Sequence, residues 1–412
     1  MNSYFKNITF DKVINYLIIG LAFSLPITKA GIVFFQHAII LAFLFRGDFS
    51  SAFQELKQSK VIVVLFLFIL LSMLSIIWSS DKTFALLYVK KYYHFLSVPI
   101  IYLYFNPKYI KHTFNAFLTA MLISQVFSYG IFFGIIDYNN VLPDDPSPFM
   151  NHSDYSMYLS FTAIILLSRM FFTHDKWRKL FYIMFFLTTT SNLFLTGGRT
   201  GQLIFVVSLF IIIFLNIKHK IKAAIIAVTL CAGIVILATN VSPFFKERAT
   251  QAYNDISQTF INKDYSGSFG RRVSLWIIGT NVFSNNILMG TGIGDEANGM
   301  QRYIEKYKLS KEHTSTYTNN KGFIDYHSMY VQHAAQLGIF GLLVVTYLMY
   351  SLFIIKFRSR MYRNICIGFA ISIFIYSIVG NLLHTIVPMS FFAFFVGLLS
   401  AISRYEQKIS VD

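Results

Sequence analysis

Charge is what this chain has least of. Only 13% of its 412 residues are Asp, Glu, Lys or Arg, against roughly a quarter in soluble domains, which excludes an ordinary water-soluble globule. Cysteine is nearly absent. Cys231 and Cys366 both fall inside apolar runs, so no disulfide framework is implied. There is no HExxH or other metal-ligand spacing, no DxD, and no strong pair of carboxylates. Nothing therefore points to a metal or other cofactor. Tandem repeats are missing too, as is any obvious similarity between the two halves of the kind many transporters carry. What fills the sequence instead is apolar: 55% hydrophobic residues, with 45 phenylalanines. The fold class this predicts is an all-α polytopic membrane protein.

The net charge of +16 does not imply a nucleic-acid partner. The basic residues lie in short clusters between apolar runs, which is a pattern of membrane topology. Lys6 and Lys12 precede the first run, as in a signal peptide, but a second run follows almost at once, so the expectation is an uncleaved first helix. With about 20 residues needed per crossing, the sequence predicts about twelve spans: 13–28, 31–46, 61–79, 91–106, 113–136, 154–173, 180–197, 201–217, 222–240, 328–355, 363–383 and 386–403. Placing the N-terminus inside puts Arg46, Lys57 and Lys60, then Lys176, Arg178 and Lys179, then Lys356, Arg358, Arg360 and Arg363 on the inner side. The outer connection near 137–153 carries Asp137, Asp144 and Asp145 instead. One outer connection, 80–91, goes against the rule with Lys82, Lys90 and Lys91. The organisation is then nine helices over 1–240, an outer segment over 241–326 and three helices over 327–412.

The outer segment is the only long polar stretch, and a loop of this length is usually functional or disordered. Trp276, Phe283 and Leu288 argue for order, and the charged run from Lys306 to His313 lies near its end. His327 stands where this segment meets the tenth helix. An imidazole at that boundary can reach a water-facing substrate while a buried helix holds it; a boundary histidine with no chemical role is the alternative. Ala334, Ala335, Gly338 and Gly341 recur at roughly helical spacing and would let another helix approach. Arg199, in Gly197-Gly198-Arg199-Thr200 between two apolar helices, is costly unless paired or facing a cavity. It suits an anion such as a diphosphate, or it snorkels to headgroups. Arg272 and Trp276 share a helical face, and Arg271 adjoins them; a headgroup-binding patch is the competing reading. Gly290-Thr291-Gly292-Ile293-Gly294 has no βαβ context, so it is read as a turn and not a nucleotide loop. Asp295 and Glu296 beside it are minor candidates for a base, with Asp325 next in line. Asn381 and His384 end the eleventh helix and can face the same cavity as His327. His37 and His94 are read as packing residues.

Taken in order, these pieces resemble the O-antigen ligase and polymerase superfamily. Its ligases carry a histidine, then Asn, Ser or Gln, nine residues, a glycine, two residues and Gly, Thr or Tyr. His327-Ser328, nine residues, Gly338, two residues and Gly341 fit every position. Arg199 matches the family's arginine at an outer helix junction, and Arg272 with Trp276 matches its loop arginine. Asn286-Ile287-Leu288-Met289 stands where the family usually has a proline. The resemblance covers about 195–345 by motif and the whole chain by topology.

What the resemblance implies is a GT-C-like, metal-independent, inverting glycosyltransferase with one long periplasmic loop. The donor would be a glycan on undecaprenyl diphosphate and the acceptor a sugar hydroxyl of lipid A–core, with membrane lipids around the site. His327 would be catalytic. Arg199, Arg272 and Arg271 would bind substrate, and Ser328, Gly338 and Gly341 would shape the motif. A polymerase of the same superfamily and a protein O-oligosaccharyltransferase remain alternatives. From a different class, a twelve-helix flippase or transporter gives no reason for arginines in a long outer loop. Topology is the first test: reporter fusions at Ser266 and Arg360 are expected to report opposite sides, Ser266 outside. A cytoplasmic signal at Ser266 would remove the basis of this chemistry.

Overall fold

The computed structural model describes residues 2–46, 54–241, 243–295 and 325–408. Glu296 and the run from Lys306 to His313 lie outside the described residues. Helices account for nearly all the regular structure, and no strand occurs among the described residues. They are α1 (Asn2–Ser24), α2 (Lys29–Arg46), α3 (Lys60–Leu74), α4 (Lys82–Lys90), α5 (Ser97–Tyr104), α6 (Ile110–Phe132), α7 (His152–Phe172), α8 (Lys176–Leu195), α9 (Arg199–Asn216), α10 (Lys220–Val241), α11 (Pro243–Ser257), α12 (Ser268–Asn285), α13 (Met329–Phe353), α14 (Arg360–Val379) and α15 (Ile386–Lys408). Eight helical stretches among the described residues are long and apolar enough to cross a membrane. The protein is an all-α, multi-pass membrane protein. In hydrocarbon, a helix satisfies its own backbone groups, which open strands cannot do.

Boundaries move where proline and glycine act. α1 starts earlier than expected and stops at Ser24, just before Pro26. The span expected over 91–106 is interrupted. α4 passes through a 3-10 stretch, Lys91–Leu96, into α5, which has Pro99 in its first turn, where a missing N–H costs least. α14 ends at Val379 rather than near 383, because Gly380 turns extended.

α15 is the centre of the bundle, with 94% of its apolar window buried. It presents Phe391 and Phe395 to Phe161 of α7, whose ring centroid lies 4.7 Å from that of Phe395. Phe117 of α6 joins at 5.2 Å. Between lipid-embedded helices, close packing replaces the hydrophobic effect as the driving force, and edge-to-face rings supply it with little rotamer freedom to lose. The outward faces carry Phe34, Phe45, Ile77 and Ile221. One end of the bundle collects the inner-side charges. Glu55 accepts from Arg404 at 2.5 Å and Lys408 at 2.8 Å, and Arg46 pairs with Asp11. The Lys408 contact is the main reason that the Glu55 carboxyl is held below its usual range.

At the other end α13 is broken. Gly338 has φ 66° and ψ −154°, a region essentially restricted to glycine. A break inside a spanning helix strands backbone groups, which must find partners. The glycine-rich turn after α12 supplies them. Thr291 N–H donates to the Ala335 carbonyl at 3.0 Å, Gly292 N–H donates to Gln336 at 2.9 Å, and Ile339 N–H donates to the Ile287 carbonyl at 2.7 Å. The end of α3 closes the far side: Trp78 Nε1 donates to Met289 O at 3.2 Å and Ile293 N–H to Ser75 Oγ at 3.1 Å. The neighbour that needs Gly338 small is therefore loop backbone, not a packed helix as the small-residue spacing suggested. A Cβ there would lie 2.4 Å from Leu288 O. Gly338→Ala should destabilise the protein by at least 1–3 kcal/mol from backbone conformation alone, an order-of-magnitude figure, with the clash added. Gly233, where a Cβ meets nothing within 4 Å, should tolerate alanine. Thermal midpoints of the two variants in detergent would check this; equal midpoints would contradict the break.

Candidate active site

Two arginines from separate segments meet in one cavity. Arg199, the first residue of α9, and Arg272, in the second turn of α12, both line a space of about 740 Å³. The local folding that brings them there is specific. α9 is capped by Gly198, where a Cβ would lie 2.2 Å from Ser156 Oγ, and continues past Gly201, where one would lie 2.4 Å from the Ser156 backbone. Ser160 Oγ donates to Gly201 O at 2.6 Å. The glycines thus let the start of α9 lie directly on α7. Asp145 fastens the turn from outside, accepting from Gly197 N–H at 2.9 Å and lying 3.0 Å from His152 Nδ1.

α12 is set by a similar device. Asp255, near the end of α11, accepts from Phe269 N–H at 2.7 Å and so satisfies an orphan donor of the α12 start. Asp264 accepts from Ser266 N–H at 2.9 Å. Each carboxylate in the cavity wall is thus engaged by a backbone amide. Burial, and next the charge of Arg199, pull the Arg272 pKa below its ordinary value. Two cations lining one cavity beside the starts of two helices form a site that favours an anion.

Arg271 is exposed and outside the lining of this cavity. His327 is also outside the lining, but it is tied to the same helix. Trp276, one turn after Arg272, donates from Nε1 to the His327 carbonyl at 3.4 Å. His327 has φ 48° and an exposed side chain, with Nδ1 3.9 Å from Asp325 Oδ2. Its own N–H donates to Asp325 Oδ1 at 2.9 Å. Ser328 is the N-cap of α13 but makes no side-chain cap bond. It is buried, as are Gly338 and Gly341. Next to His327 runs the loop after α14. Met329 N–H donates to Gly380 O at 3.2 Å, and Lys91 Nζ donates to the His384 carbonyl at 3.4 Å. Burial pushes the His384 pKa down; Asp325 opposes this, while Lys91 and His327 add to it.

Several participants escaped the sequence reading. Asp154 of α7 is buried and accepts from Tyr376 of α14 at 2.5 Å and Asn151 Nδ2 at 2.6 Å. That bond ties α7 to α14, and both helices contribute to the cavity wall through Ser153 and Val379. A carboxylate at the mouth of an apolar helix was the available signal. Lys91 was visible only as an exception to the charge rule. Asp145 and Asp255 had no spacing that marked them. Asp295, weighed as a base, is 3% exposed and accepts from the Ser80 hydroxyl, which makes it part of the turn that closes the helix break. His94 bonds Gln36 and His37 bonds Val33 O at 2.8 Å, the packing contacts read for them.

A comparison with curated protein sequences finds no match. Residues 183–346 match the family described as O-antigen ligase. That interval holds Arg199, the loop with Arg272, His327 and the helix break at Gly338. This match, over about two fifths of the chain, supports membership of the O-antigen ligase superfamily.

Proposed function

We propose that the protein transfers a glycan from undecaprenyl diphosphate to a sugar hydroxyl of lipid A–core on the periplasmic face of the inner membrane. Membership of the superfamily makes it a glycosyltransferase-like enzyme in general; the donor, the acceptor and the side of the membrane are this reading's own. The observation that carries it is the convergence of Arg199 and Arg272 on one cavity, with Trp276 joining the Arg272 helix to His327.

The chemistry follows from charge. As the acceptor oxygen attacks the anomeric carbon, the bond from that carbon to the diphosphate breaks and negative charge grows on the leaving oxygen. Arg199 and Arg272 hold that charge where it develops, which lowers the barrier more than binding the ground state does. A planar guanidinium meets two diphosphate oxygens at once; an ammonium does not. His327 takes the proton from the attacking hydroxyl, with Asp325 beside its Nδ1 to orient the ring. One displacement without a protein nucleophile inverts the anomeric centre. Ser328, Gly338 and Gly341 act through the geometry of α13. Arg271, at the rim, contacts the lipid headgroup region or the glycan.

Three outcomes test these roles, read by deleting the gene, complementing with variants and separating surface polysaccharide on a gel, and by assay with purified donor. Deletion should leave lipid-linked polymer that never reaches lipid A–core; single repeat units on the core would instead identify a polymerase. Arg199→Lys and Arg272→Lys should each weaken donor binding and lower transfer at least about tenfold, the loss of one charge-assisted bond. Wild-type ligation with normal donor affinity in the Arg199→Lys protein would rule out bidentate recognition. His327→Ala should bind donor normally yet transfer on the order of 10²–10⁴ more slowly. A variant that turns over near normally, or that fails at donor binding instead, would remove His327 as the base.

A further inference from the structure

The end of the bundle opposite the arginine cavity holds a second cavity, of about 670 Å³. Its walls come from the start of α3, the end of α5, the exit of α13 and the last turns of α15. Four cations line it: Lys60, Lys356, Arg404 and Lys408. Two of them are structurally committed. Arg404 and Lys408 both bind Glu55, and Arg404 also donates to Leu103 O at 2.9 Å and lies 4.8 Å from the Tyr102 ring centre. Lys60 and Lys356 are exposed and have no ion-pair partner among the described residues. The lining itself holds four cations and no carboxylate; Glu55 pairs with two of them and Glu406 of α15 binds the Arg358 and Ser359 amides on the turn after Lys356, so the region carries an excess of positive charge.

A buried hydroxyl points the same way. Ser400 is 4% exposed, lines this cavity, and its Oγ has no hydrogen-bond partner among the described residues. A buried polar group of this kind costs stability unless something bonds to it. A further cavity of about 390 Å³ shares Ile354, Ile355 and Lys356 with the first. Its remaining wall includes Leu352, Phe353 and Ile367, with Arg363 at its edge. The Nε of Arg363 is buried without a partner. A cationic, hydroxyl-bearing chamber therefore adjoins an apolar one, at the depth where spanning helices end.

We propose that this pair of cavities is a binding site for an anionic phospholipid, the phosphate between Lys60 and Lys356 with Ser400 donating to it, and an acyl chain along Leu352 and Ile367. The apolar neighbour is what favours a lipid over a free anion, because a soluble phosphate has no use for it. Basic clefts at helix ends attract anionic headgroups through charge and shape together. The site does not depend on the glycan-transfer reading. It would anchor the turn between α13 and α14 to the membrane, on the far side of the helix whose break positions the candidate active site.

Native mass spectrometry of the full chain in detergent would test it with three probes: dioleoyl phosphatidylglycerol, dioleoyl phosphatidylcholine and glycerol 3-phosphate. The wild type should retain phosphatidylglycerol over phosphatidylcholine. K60Q/K356Q should bind it about 30-fold more weakly, roughly fivefold for each lysine, and K60R/K356R should restore most of the affinity. Both lysines are exposed, so the glutamine variant should keep the wild-type thermal midpoint. Equal phosphatidylglycerol affinity in wild type and K60Q/K356Q would overturn the site. Equal retention of phosphatidylcholine would overturn headgroup recognition, and displacement by glycerol 3-phosphate at matched concentration would overturn the lipid as its source.

Discussion

A polar backbone group within the apolar layer must have a partner, and the structure turns on how that requirement is met at Gly338. An unbroken α13 would need nothing from the outer segment. The break releases the Ala335 and Gln336 carbonyls and the Ile339 amide, and only an extended stretch brought close against the helix can answer all three. The turn over 287–292 does so, and Ser75 and Trp78 at the end of α3 hold its other side. α12 enters this turn directly. Its C-terminal end is thereby fixed to the bundle, while Asp255 fixes its start. Arg272, on the long polar segment, thus sits on a helix fixed at both ends, the kind of support that a precise binding site needs.

Electrostatics explains why such firmness is needed. Two guanidinium groups brought together repel, and the lowered pKa of Arg272 is the trace of that repulsion and of burial. Asp145, Asp255 and Asp264 lie in the same wall, each bound to a backbone amide, and Asp255 offsets part of the repulsion at Arg272. Two cations held in place by a scaffold are the arrangement that meets an anion with little reorganisation. Asp154 and Tyr376 sit beneath, joining α7 to α14. These two helices flank the cavity from the membrane side, so the bond keeps its floor in place.

Much of this was legible in the sequence, for identifiable reasons. Membrane class and the helical fold follow from apolar runs and loop charge, which are one-dimensional signals. His327, Arg199 and Arg272 stood out as candidates because charge or a titratable ring at a membrane boundary contrasts with an apolar background. The role of Gly338 was not legible in detail. Small residues at helical spacing suggest helix packing, and nothing local announces a positive φ in the middle of a spanning helix. The glycine turn and the Gly338 motif were read separately, since their pairing joins residues some fifty positions apart in sequence. The buried bond between Asp154 and Tyr376 crosses 222 positions and leaves no periodicity to read.

The outer connection over 80–91 shows what an exception to a charge rule is worth. Basic residues are kept off the translocated side because carrying them across is unfavourable, so three lysines there need a local reason. Lys91 has one. Its ammonium donates to the His384 carbonyl, lies 5.5 Å from the Tyr88 ring centre, and adds its charge to the field at the His384 ring. Lys91 is also the residue at which α4 passes into the 3-10 stretch Lys91–Leu96, so the exception to the charge rule and the interruption of the fourth apolar run fall at one place. The loop that takes up its ammonium at His384 is the one whose Gly380 carbonyl accepts from Met329 at the start of α13, so a charge otherwise costly there is held by the loop that packs on the α13 start.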